Sequence, residues 1–110
     1  MPQERPDGSF QFSLKLPPDL LTEAEAFAEN RKWSRSQAVA HLMDVGISGE
    51  DHGVSVHEDE PLTEEPFTTY TKNEDMVRNV EGLADEEYDG SFNAAARWAI
   101  RNGLEEAVTL

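Results

Sequence analysis

The sequence predicts a mostly α-helical chain with two short β-strands, each needing a partner strand, and four helices. Three observations carry that expectation. Phe10, Phe12, Leu14 and Leu16 alternate with the polar Gln11, Ser13 and Lys15, the period of a strand with one buried face. Apolar residues then recur at helical spacing in two segments separated by a capped turn. Finally, Ser34 to Ile47 (SRSQAVAHLMDVGI) aligns with Ser91 to Leu104 (SFNAAARWAIRNGL) at a constant offset, since 91 − 34 and 103 − 46 both give 57. The strand-helix-helix order therefore occurs twice.

Taken in order, residues 1–9 are polar and contain Pro2, Pro6 and Gly8, the composition of a disordered arm. The strand follows and stops at Pro17-Pro18. A lone strand leaves backbone groups and an apolar face unpartnered, so it requires a second strand and a covering layer. Leu20, Leu21, Ala24, Phe27 and Ala28 place a first helix over residues 18–30, with proline tolerated in its first turn and Asp19 at its positive end. Trp33 is expected to pack in the corner that follows. Ser34 and Gln37 form a capping box for a second helix with the stripe Ala38, Val39, Leu42, Met43 and Val45. Gly46-Ile47 reads as its glycine C-cap. Residues 48–66 hold glycine, proline and seven carboxylates without apolar periodicity, which reads as an acidic linker. His52 and His57 within it have no fixed geometry and are expected to be solvated rather than metal-binding.

Beyond the linker, residues 67–110 form the second unit. Met76, Val80, Leu83 and Ala84 echo Leu20, Ala24, Phe27 and Ala28 at an offset of 56, so one extra residue falls in the second turn. Phe67 to Lys72 (FTTYTK) occupies the strand position, with β-favouring threonines but poor alternation. Matching Lys72 to Lys15 turns Thr68, Tyr70 and Lys72 outward. A slip of one residue would expose Thr69 and Thr71 instead.

The segment of residues 10–47 resembles the ribbon-helix-helix family of DNA-binding proteins, the Arc/MetJ type, through its alternating strand, Pro17-Pro18, first helix and the Ser34-Arg35-Ser36-Gln37 start of the second. The second unit looks like a diverged copy of it. The resemblance implies a tandem ribbon-helix-helix fold whose two short strands pair as an antiparallel ribbon that enters the major groove of double-stranded DNA, where alternate strand side chains read base edges. Carried over residue by residue, the base-contacting set would be Gln11, Ser13 and Lys15, with Thr68, Tyr70 and Lys72 from the second strand. Phosphates would sit at the helix starts formed by Ser34, Arg35, Ser36, Ser91 and Asn93. Arg5 in the arm could also reach DNA.

Composition sets limits on this expectation. The formal net charge is −14, but it is unevenly spread. Residues 1–48 carry seven acidic and five basic side chains, residues 49–66 seven and none, and residues 67–110 nine and four, so the expected DNA-reading part is the least acidic. Three lysines against 23 carboxylates resemble the surfaces of proteins from salt-loving microbes, where high salt screens such charge to a few ångströms. Cysteine is absent, which excludes disulfides and thiolate metal sites, and nothing resembles a signal peptide or a membrane-length apolar run. A cytoplasmic, nucleoid-associated protein is expected, without a cofactor. No nucleophile-base arrangement, phosphate loop or metal-binding helix motif points to an enzyme.

Two arrangements satisfy this sequence. The two units of one chain can pair with each other, since a linker of 19 residues spans about 24 Å and gives a high effective concentration of the partner strand. Alternatively, two chains pair through their first units, with the second units pairing separately. A helical hairpin over residues 67–110 that has lost its strand and binds a protein is a further alternative. The expected function is a sequence-specific transcriptional regulator, most simply a repressor that self-associates within or between chains. Its rival is an antitoxin or adaptor that engages a protein partner through the acidic linker and second unit.

Overall fold

In a computed structural model, which describes residues 2–56 and 60–109, the chain has four helices and a small three-stranded antiparallel sheet. The central strand is β2 (Phe10–Leu14), and it pairs with β3 (Phe67–Thr71) in the register Gln11 to Tyr70, Phe12 to Thr69 and Ser13 to Thr68. The strands of the two units thus pair within one chain. Phe10, Phe12, Leu14, Phe67 and Thr69 are buried, whereas Ser13, Thr68 and Tyr70 are exposed and Gln11 is half-buried. Alternation in β3 looked poor because a threonine occupies a core position opposite Phe12. Thr69 is fully buried, and its hydroxyl has no hydrogen-bond partner among the described residues. Thr69→Val keeps the shape and removes that unsatisfied group, so stability should rise by about 1 kcal/mol. A lower urea midpoint would show that the hydroxyl is satisfied after all.

A third strand corrects the expected two-stranded ribbon and the expected disordered arm. β1 (Gln3–Glu4) pairs with the outer edge of β2, Gln3 opposite Gln11 and Glu4 opposite Phe10. The connecting turn is held by the Arg5 N–H on the Ser9 carbonyl at 2.8 Å and by Asp7 Oδ1, which accepts from the Ser9 N–H and hydroxyl. Gly8 supplies the left-handed backbone, φ 87°, that this tight turn requires.

Each helix begins as its sequence dictates. α1 (Pro18–Arg31) starts with proline in its first turn, and α2 (Arg35–Ser48) is capped by Ser34 Oγ, which accepts from the Gln37 N–H at 3.1 Å. In α3 (Glu74–Glu87) the cap is Asn73, and in α4 (Phe92–Thr109) it is Ser91, whose Oγ accepts from the Ala94 N–H. Leu20, Ala24 and Ala28 on α1 are buried, as are Met76, Val80 and Ala84 on α3, while Phe27 and Leu83 are half-buried at matching positions. All these faces, together with the inner face of the sheet and Val39, Leu42, Met43, Ala99 and Ile100, close one core shared by both units.

The repeat is also a repeat in space. A Cβ on Gly46 would lie 1.8 Å from the Ala99 carbonyl oxygen, and one on Gly103 would lie 2.1 Å from that of Leu42. At the offset of 57, Gly46 corresponds to Gly103 and Leu42 to Ala99. The same contact is therefore made twice across a pseudo-twofold axis between α2 and α4, as in an isologous interface. This overturns the reading of Gly46 as a C-cap. α2 runs on to Ser48 and is capped at Gly49, so Gly46 is needed where two helix backbones touch rather than where one stops.

The acidic segment between the units is tied down where it is described. Asn102, fully buried on α4, donates to the carbonyls of Gly46 and Glu50 and accepts from the His52 N–H. His52 is not a solvated histidine, because its Nε2 lies 2.7 Å from Glu106 Oε2 and both side chains are 22% exposed. Farther along, Glu60 pairs with Arg97 at 3.1 Å and with Arg101, and the Thr63 N–H bonds the Leu16 carbonyl. His57 lies outside the described residues. The docking residues of α4 have no equivalents in α2, where Ala40, Asp44 and Val45 stand at the positions of Arg97, Arg101 and Asn102.

Candidate functional site

The outward face of the sheet collects the six side chains expected to act together. Gln11 and Tyr70 face each other on one side of the central Phe12–Thr69 pair, and Ser13 and Thr68 do so on the other. Directly opposed side chains in an antiparallel pair stand about 5 Å apart, so each pair forms a polar patch. Lys72 continues the chain beyond the first patch and Lys15 beyond the second, both exposed. Tyr70, 45% exposed, is the large aromatic ring on this surface.

The helix starts flank the sheet, and their side chains are engaged by the protein's own backbone. Ser36 Oγ accepts from the Tyr70 N–H at 2.8 Å and donates a longer bond to the Tyr70 carbonyl. Asn93 accepts from the Lys15 N–H and donates to the Lys15 carbonyl, each at 2.9 Å. Ser36 and Asn93 correspond at the offset of 57, so the second helix of each unit clips the strand of the other unit by its backbone. These side chains position the ribbon. Ser34 and Ser91 are likewise engaged as caps. What the helix starts can still offer an anion is their first backbone N–H groups, which lack partners within a helix, and the Arg35 guanidinium, 4.5 Å from the Phe67 ring centroid at the edge of the sheet.

Arg5 was legible only as a residue of the arm, yet it lies on the sheet face. Its guanidinium carbon sits 4.9 Å from the Tyr70 ring centroid, and one guanidinium nitrogen is 3.5 Å from Gln11 Oε1. The nearby Asp7 carboxyl is held below the usual carboxylate range by the Ser9 hydroxyl, then by the Ser9 N–H, with Arg5 and Lys72 adding attraction. The sequence signal for this arrangement was Pro6-Asp7-Gly8, a turn tripeptide that folds the arm back onto β2.

Arg5 thus lies over the outward face of a strongly acidic chain, Lys15 and Lys72 follow the two strands at opposite ends of the ribbon, and Arg35 stands at the sheet edge on the ring of the buried Phe67. Among the described residues no group of three or more His, Asp or Glu side chains is arranged to hold a metal ion, and no helix is long and apolar enough to cross a membrane. The chain matches no protein-family model, and comparison with curated proteins and with solved structures finds no match.

Proposed function

We propose that the chain is a single-chain ribbon-helix-helix DNA-binding protein, a transcriptional regulator that acts most simply as a repressor by occupying its site. The observation that supports this reading is the pairing of β2 with β3 across a pseudo-twofold axis, with polar side chains alternating outward and a capped helix start at either end. A two-stranded ribbon fits the major groove, and Gln, Lys, Ser and Thr side chains carry the donors and acceptors that distinguish base pairs there. The cations over this face and at its ends and edge give local attraction to phosphate that the net charge conceals, and high salt weakens the repulsion from the rest of the surface. A regulator confined to one chain needs no second subunit to complete its ribbon. The rival role as an antitoxin or adaptor draws less support, because the acidic segment it would use is docked on its own α4.

The test is selection of bound sequences from random duplexes by the full chain, with complex mass measured at several protein concentrations. A defined duplex bound by one chain is expected, and log affinity should fall linearly with log salt, with a slope on the order of −4 if four cations each displace a counterion. Failure to enrich any sequence would overturn this reading.

A further inference from the structure

We propose that Arg5, rather than serving only as a charge in a flexible arm, is a base-reading side chain that gives one half of the site a guanine preference. This rests on the DNA-binding reading above. The geometry that points to it is the strand β1, which folds the arm against β2 and sends the guanidinium over the ribbon. Alternation about that pairing turns Gln3 to the same face as Gln11, while Glu4 lies opposite Phe10, whose side chain faces the core. The cation is thereby presented on the outer face and the neighbouring carboxylate is turned from it. Asp7, the other acid of the arm, is engaged by Ser9 in its own turn.

Arg5 lies against two outward side chains of the paired strands, Tyr70 by its ring face and Gln11 by its amide oxygen. Contact with the aromatic ring lowers the freedom that the guanidinium must lose on binding. A guanidinium that turns its N–H edge toward the groove matches the O6 and N7 acceptors of guanine in bidentate fashion. β1 borders only the Phe10–Gln11 end of β2, so the other half of the ribbon is strictly two-stranded. At the bordered end the extra strand adds about 4.8 Å of width, which places its backbone at the rim of a groove about 12 Å wide while Arg5 reaches inward. The pseudo-twofold partner of residue 5 would be residue 62, a leucine, so the repeat supplies no equivalent of Arg5 over Ser13 and Thr68. The preference is therefore confined to the half of the site beneath Gln11 and Tyr70.

The experiment compares the full chain with Arg5→Ala and Arg5→Lys, by sequence selection and by affinity for the selected duplex with each base pair replaced in turn. Arg5 is exposed, so both variants should keep the parent's helical circular dichroism. Arg5→Ala is expected to lose roughly 5- to 150-fold in affinity, with discrimination lost at one G·C pair in one half only. Arg5→Lys should retain the salt slope of the parent and lose part of that discrimination. Unchanged preferences in Arg5→Ala would overturn the proposal, and so would tighter binding, which would make the arm a cover over the ribbon. If the parent enriches no duplex, it is the DNA-binding reading that fails; if the parent does so and Arg5→Ala selects the same site, only the role of Arg5 fails.

Discussion

Replacing Gly46 by alanine is expected to destabilise the chain by about 3 kcal/mol or more, while the same replacement at Gly82 stabilises it by up to about 1 kcal/mol. Both glycines lie inside helices, and alanine is the better helix former by roughly that last amount. At Gly82 nothing lies within 4 Å of a new Cβ, so the propensity gain stands alone. At Gly46 the Cβ would stand 1.8 Å from the Ala99 carbonyl oxygen and 2.8 Å from the Gly103 nitrogen. These are backbone atoms in the middle of α4 and cannot rotate away. α2 and α4 would have to separate by well over an ångström, which also lifts Gly103 from Leu42 and opens the shared core, where lost close contacts are not replaced. A domain of this size has about 5–15 kcal/mol in total, so the variant would sit near the edge of stability. Urea denaturation checks it: the midpoint should fall by roughly 1–3 M. Because α2 belongs to the first unit and α4 to the second, amide protection should be lost from both units together. A Gly46→Ala chain as stable as its parent would mean that this crossing is not what joins the two units.

The same glycine shows where sequence reading succeeds and where it stops. Alternation at residues 10–16 located β2, and the serine caps at Ser34 and Ser91 located two helix starts, because those signals act between neighbours in sequence. Gly46 near the end of an apolar stripe is locally indistinguishable from a C-cap. Its function comes from a helix 57 residues away. The recurrence of glycine at that offset did contain the answer, since a residue needed twice at one position of a repeat is needed by the contact the repeat makes with itself. Ser36 and Asn93 illustrate the complementary limit. A polar side chain at a helix start can hold phosphate or backbone, and which one it meets depends on where the other unit's strand lies. Likewise, the acidic segment read as a flexible linker from composition, because the groups that anchor it, Asn102, Arg97 and Arg101, stand on α4 and not beside it in sequence. Single-chain pairing was one of two open arrangements, and the β2–β3 register is the intrachain one.

That register also sets what each strand would read. A strand lying over one half alone would put Gln11, Ser13 and Lys15 on one half-site and Thr68, Tyr70 and Lys72 on the other. With Phe12 and Thr69 at the centre, each strand instead crosses both halves: Gln11, Tyr70 and Lys72 fall on one side, and Ser13, Thr68 and Lys15 on the other. Gln11→Ala should therefore relax base preference in one half, and Lys15→Ala in the opposite half, although both residues belong to β2. Each lost base contact is worth about 1–3 kcal/mol. The two residues are four apart in an extended strand, about 13 Å, far enough for their effects to add. The double variant should lose about 2–6 kcal/mol, from some thirtyfold to more than ten-thousandfold in affinity, while its helical content stays that of the parent. One half combines a large amide, a phenol and a lysine, and the other two small hydroxyls and a lysine, so the selected site should have unlike halves and bind a single chain. A strict inverted repeat bound by two chains would sink the single-chain ribbon, and so would loss of discrimination at the same base pair in both single variants, which would mean that β2 does not lie along the groove.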